Sequence, residues 1–303
     1  MQLRAVPNRF VRPILLANLL GEVTIVVTGG VVRLTGSGLG CPTWPECVPG
    51  SFTPVEEQAE GFHKLVEFGN RTLTGVVGLL ALAALWAVWT RYPGRRRLHL
   101  LAGGVLAGVL VQAVVGGITV RTGLNPVTVA FHFLVSMVLV ALSTMLVAGV
   151  HGRQGDDEAD GPGAVLVPAL VHRVALGTAA VGGLVLVLGT LVTGSGPHSG
   201  DADEPARFGF DPRFVSWMHA DAVMLFAGLV IATGLALHVA ASPARTRVLW
   251  RTVLLVTLAQ GLIGYVQYFT QLPEVLVAVH MLGACLLVVA LTAAVLSLRE
   301  HPV

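Results

Sequence analysis

The feature that governs this chain is the length of its apolar runs. Stretches such as LLALAALWAVW (79–89) continue without a charge. They also lack the apolar–polar alternation of a membrane β-strand, so the backbone has to satisfy its own hydrogen bonds as helix. A bilayer core asks for about 20 residues per spanning helix. Eight such spans can be drawn, near 13–34, 67–90, 98–120, 128–150, 165–193, 214–240, 249–270 and 274–298. Only 12% of the residues are charged and the mean hydropathy is +0.77, where soluble domains are about a quarter charged. The expected fold class is an all-α integral membrane protein with eight transmembrane helices. The first span carries Glu22 and is too long for the apolar core of a signal peptide, so it reads as a retained helix.

Basic residues give the expected orientation. With N- and C-termini cytoplasmic, thirteen of the nineteen Lys and Arg lie inside, among them Arg4, Arg12, Arg96, Arg153, Arg247 and Arg299. The expected location is the cell (cytoplasmic) membrane, multi-pass. The formal net charge of +2 is sorted across the bilayer, and nothing in it points to nucleic acid.

The chain is internally repeated. LVQAVVGGITVRTGLNPVTVAFHFLVSMVL (110–139) aligns with LAQGLIGYVQYFTQLPEVLVAVHMLGACLL (258–287), setting Gln112 on Gln260, Gly116 on Gly264 and His132 on His280. RLTGSG (33–38) is echoed by LVTGSG (191–196). The expected organisation is two four-helix halves, 1–150 and 165–303, joined by an acidic Gly/Pro linker at 151–164. An even number of spans per half makes a parallel repeat, two four-helix bundles about a pseudo-twofold axis along the membrane normal.

Ten histidines sort by depth. His99, His151, His172, His238 and His301 fall at cytoplasmic ends or in loops and read as solvated. His198, in the outer loop GPHSGDADEP, lacks the further His or Cys that a metal site needs. His132, His219 and His280 differ: each lies among apolar neighbours about five residues, or ~8 Å, inside the outer end of span four, six or eight. Ionisable groups at such depth are rare and generally functional. Isolated imidazoles on separate helices, without adjoining thiols or carboxylates, suit haem iron better than zinc. His219 and His280 are therefore expected to clamp one haem. The repeat asks for a first-half pair on spans four and two, where it finds His132 and Asn70. Glu67 and Asn70 share a helical face, and Glu67 and Arg71 are spaced i, i+4. His63 stands two turns above Asn70, about 10 Å away, too far to replace an axial ligand there, and is counted with Asn70 and Arg71 in the expected substrate-haem pocket.

Taken with RLTGSGLGCPTWPEC after span one, EFGNR opening span two and single histidines beginning spans four, six and eight, this pattern resembles the haem A synthase family over essentially the whole chain. The resemblance implies a membrane monooxygenase that oxidises the C8 methyl of haem O to the formyl of haem A, using molecular oxygen and external electrons. It implies haem b between His219 and His280, and substrate haem O between the span-two and span-four positions, with Glu67 needed for activity. Asn70 departs from the family's His, so the substrate iron is expected on His132 alone, with Asn70 a weak ligand or a hydrogen-bonding group. Arg71 is the expected partner of a haem propionate or of Glu67, and Glu67 a proton shuttle. A synthase for haem O is a candidate partner, a homo-oligomer a candidate assembly, and the electron donor is unassigned.

Cys41 and Cys47 flank PTWPE in the outer loop. In an oxidising compartment they are expected to form a disulfide, a structural staple to which the family adds a redox role. Cys285 reads as packing, and Gln112 and Gln260 as hydrogen bonds between helices. Glu22 is a buried carboxylate without an evident partner. Asp221, turned away from His219, is expected to make a hydrogen bond that supports the site or one that joins two helices. The alternative function is a diheme b-type electron carrier. It would want a second imidazole where Asn70 stands.

Overall fold

The structure is a computed structural model that describes residues 5–150, 163–201 and 205–300. Arg4, His151, Arg153, His301 and the linker up to residue 162 lie outside the described residues. Eight helices are long and apolar enough to cross a membrane: α1 (Asn8–Leu34), α2 (His63–Arg91), α3 (Arg96–Arg121), α4 (Pro126–Gly149), α5 (Ala169–Ser195), α6 (Pro212–Val239), α7 (Ala244–Phe269) and α8 (Glu274–Leu296). Among the described residues the only β pairing is three isolated bridges. The all-α, eight-span fold read from the sequence holds.

Local chemistry sets the helix ends more sharply than hydropathy did. α4 and α6 each start with Pro at their first position, behind Asn125 and Asp211, whose side chains accept from Val127 N and Arg213 N, both at 2.9 Å. Proline costs nothing there because its missing N–H would be unpaired anyway. α5 starts at Ala169, four residues later than expected, because Pro168 stands at its cap. α2 starts at His63, four residues earlier than the apolar run suggests: the polar stretch HKLVE is helix as well. That extra turn carries His63 and Glu67 on a rigid element.

α1 packs on α2 and α4, and α3 on α2 and α4, closing a four-helix ring in which α2 and α4 are diagonal and do not touch. α5 to α8 close a second ring with α6 and α8 diagonal. The rings meet through α4 on α8, α1 on α8 and α5 on α4. Each ring has its own core: Leu15, Val88, Leu98 and Leu146 in the first, Phe226, Leu237, Trp250 and Leu298 in the second. A third cluster of Val23, Val26, Met137, Val140 and Cys285 fills the seam. Cys285 is fully buried there, as expected of a packing residue.

The seam is tied at its outer end. Arg33, closing α1, donates through Nε to His198 O (2.6 Å) and through Nη2 to Thr193 O (2.7 Å), while Gly38 N donates to Gly200 O (2.9 Å). His198 completes the knot through Nε2 with Leu272 O at 3.0 Å, so this loop histidine has a structural partner. Farther inside, buried Asn18 donates to Ser143 Oγ at 2.9 Å. Glu22, one turn on and 2% exposed, has no hydrogen-bond partner for Oε1. Asp221 corrects an expectation. It is exposed on α6 and bonds no neighbouring helix, because its two-residue offset from His219 turns it to the outside of the ring.

Candidate functional site

Four helix hairpins repeat one arrangement. Asn70, His132, His219 and His280 lie six or seven residues into α2, α4, α6 and α8, about 9–10 Å from the helix start at ~1.5 Å per residue. Opposite each, five or six residues before the end of the preceding helix, stands a glycine. A Cβ on Gly116 would lie 3.5 Å from His132 Cε1, on Gly189 3.3 Å from His219 Cε1, and on Gly264 3.7 Å from His280 Cε1. On Gly29 it would lie 3.7 Å from Asn70 Nδ2. The missing side chain gives each ring room beside the neighbouring backbone.

Glutamines hold two of these ligand candidates in place. Gln112 Nε2 donates to His132 O at 2.8 Å and to Ser136 Oγ, and Gln260 Nε2 donates to His280 O at 2.9 Å. The expected bonds between helices are present, and they land on the backbone of the histidines themselves. The glutamine repeat was visible in the sequence; its target was not.

The donor set fits haem. The three imidazoles are half-buried, and Nδ1 of each is fully buried. Nε2 is thereby the nitrogen available to an iron. His219 and His280 lie on α6 and α8, the diagonal helices of the second ring. His132 and Asn70 occupy the matching diagonal of the first ring. Among the described residues no three His, Cys, Asp or Glu side chains converge as they would on a bare metal ion.

Above the first ring sits the loop of residues 35–62. Cys41 and Cys47 form the expected disulfide, both fully buried. The loop is docked through the opening turn of α2. Glu67 Oε1 accepts from Arg71 Nε (2.9 Å) and Nη2 (2.6 Å), and Oε2 accepts from Cys41 N (2.6 Å). Arg71 reaches on to Cys41 O (2.7 Å) and Glu46 O (3.3 Å). Of the two partners considered for Arg71, the structure gives it Glu67, together with the loop carbonyls.

Two glycines make this docking possible. A Cβ on Gly40 would stand 2.2 Å from His63 O, and one on Gly117 would stand 2.3 Å from Trp44 Cδ2. Trp44, from PTWPE, thus wedges against α3 one residue from the glycine that faces His132. Sequence reading missed this contact, although GG at 116–117 beside a loop tryptophan was its signal. His63 is exposed at the start of α2, its Nδ1 2.8 Å from Ser37 Oγ. It belongs to the loop anchor, while Asn70 belongs to the diagonal with His132.

Comparison with known proteins agrees with this architecture. The heme A synthase of Lysinibacillus sphaericus is 33% identical over 150 residues, 48% of each chain. That of Exiguobacterium sibiricum is 31% identical over 156 residues, 50% of this chain and 49% of its own. That of Geobacillus kaustophilus is 34% identical over 134 residues, 43% and 40% of the two. Each alignment spans about half the length of the relative or less. The family described as cytochrome oxidase assembly protein matches residues 12–292, from the second turn of α1 into the last turn of α8. A match through all four hairpins makes this chain a member of the cytochrome oxidase assembly protein family.

Proposed function

We propose that this protein is a haem A synthase, oxidising the C8 methyl of haem O to a formyl group with molecular oxygen and external electrons. The observation that carries the reading is the pair of diagonals, His219 with His280 and His132 with Asn70, each residue facing a glycine. Membership of the cytochrome oxidase assembly family and the name heme A synthase carried by relatives that align with half the chain support it.

In this reading residues 165–303 hold haem b through His219 and His280, and residues 1–150 take the substrate through His132. When bound, haem b supplies one-electron storage. The chain's own residues do the rest. Gln112 and Gln260 fix the ligand-bearing turns of α4 and α8. The disulfide loop, held by Glu67 and Arg71 and wedged by Trp44, covers the outer end of the first ring and keeps water from it. Glu67, three residues before Asn70 on one helical face, is the group proposed to hold and return a proton there. Matched packing of α1 on α8 and α5 on α4 supports the pseudo-twofold relation of the halves. The basic helix ends support cytoplasmic termini in the cell membrane.

A diheme electron carrier would want a fourth imidazole, and Asn70 takes that place. Expression with a haem O supply and a competent electron donor, followed by pigment extraction and chromatography, tests the reading. Haem A should form with the native chain and not with His132→Ala. Pigment that stays haem O with the native chain would overturn it.

A further inference from the structure

The first ring differs from the other three hairpins in two coupled places. Where the ligand candidate is His, the residue before the facing glycine is aliphatic: Val115, Leu188 and Ile263. Where it is Asn70, that residue is Thr28. The two odd residues meet. The Thr28 hydroxyl lies 2.8 Å from Asn70 Oδ1, closer than to its other acceptors, Thr24 O at 3.0 Å and Ile25 O at 3.2 Å. An amide oxygen only accepts, so in this contact the hydroxyl is the donor. Asn70 Oδ1 is then engaged from α1, and Nδ2 is the amide atom nearest Gly29, in the position where the other hairpins put an imidazole edge.

An amide nitrogen's lone pair is delocalised into its carbonyl and is not offered to iron, and the oxygen, the amide atom that could ligate, accepts from Thr28 on α1. We infer that Asn70 is not a ligand of the substrate iron but a fixed hydrogen-bond donor, held by Thr28, over an axial face that the chain leaves open. This rests on the first ring being the haem O site. The substrate iron would take His132 from one side only. The opposite side would present N–H groups to whatever small polar or diatomic ligand enters there. The second ring, with imidazoles on both diagonal positions, offers no such face. One fold thus holds a closed site and an open one, and the difference is written in two side chains.

Carbon monoxide is the probe. Purified protein carrying its second-half haem is mixed with haem O, reduced without oxygen and exposed to CO. Absorption and the C–O stretch of the adduct are then recorded. The native first-half haem should be high-spin and bind CO, while the second-half haem stays low-spin and serves in every sample as the record of an intact fold. Asn70→His should turn the first haem low-spin and abolish its CO adduct. Thr28→Val and Asn70→Ala should keep CO binding but move the C–O stretch to higher wavenumber, because a donor to the bound CO is lost or unfixed. A native first-half haem that is low-spin and refuses CO overturns the inference and leaves the haem O site standing. So does a stretch that neither variant shifts. Failure of the native chain to retain haem O, or retention that His132→Ala does not reduce, overturns the site itself.

Discussion

Replacing Glu67 by alanine should release the Cys41–Cys47 loop from the bundle. The side chain is 7% exposed and accepts three hydrogen bonds, two from Arg71 and one from Cys41 N. Breaking a buried pair by truncating one partner costs about 3–5 kcal/mol. Arg71 is 20% exposed and keeps its bonds to Cys41 O and Glu46 O, so about 2–3 kcal/mol is the reasonable share. Both cysteines are fully buried, and a reductant reaches them only when the loop lifts. If lifting is a local opening in rapid equilibrium, the rate of disulfide reduction follows its population and should rise roughly 30- to 150-fold. Glu67→Gln keeps the shape and one acceptor, and about 1 kcal/mol or about fivefold is expected. The assay adds a phosphine reductant to oxidised protein and traps new thiols with a mass-tagged maleimide. Buried Cys285 reports any global unfolding. A Glu67→Ala rate equal to the native rate, with Cys285 unlabelled in both, would refute the claim that this carboxylate anchors the loop.

Further outcomes follow from the same geometry. His219→Ala or His280→Ala should remove the low-spin haem spectrum, whereas His132→Ala should keep it and lose haem A formation. Gly264→Leu should deplete the second-half haem, because its side chain enters the space beside His280; Gly261→Leu, one turn away and facing no neighbour within 4 Å, should not. Gly117→Ala should displace Trp44, at about 1–3 kcal/mol for an overpacked contact, read as a shift in tryptophan emission and faster reduction of the disulfide. Arg33→Met should lower the thermal midpoint, since two carbonyl acceptors lose charged donors worth about 1.5–3 kcal/mol each.

The parts legible in the sequence were those written in one dimension. Eight helices follow from run length, and three histidines at one depth follow from counting inward from the helix starts. Gln112 and Gln260 showed as a repeat. The parts that stayed hidden depend on which residue stands across from which. Gly29, Gly116, Gly189 and Gly264 are four glycines among thirty-six, and only pairing the helices turns them into spaces for side chains. Thr28 looked like any threonine in a span. The Glu67 carboxylate was visible, but its bond to the backbone of Cys41, twenty-six residues earlier, had no local signature. Asp221 misled because helix angle says where a side chain does not point, and not whether a neighbour waits on the other side.

Arg33 and the Gly38–Gly200 bond stitch the outer rims of both rings along the centre line. Parting the two halves at that rim would break all three bonds together, so the outer ends are expected to move as one piece.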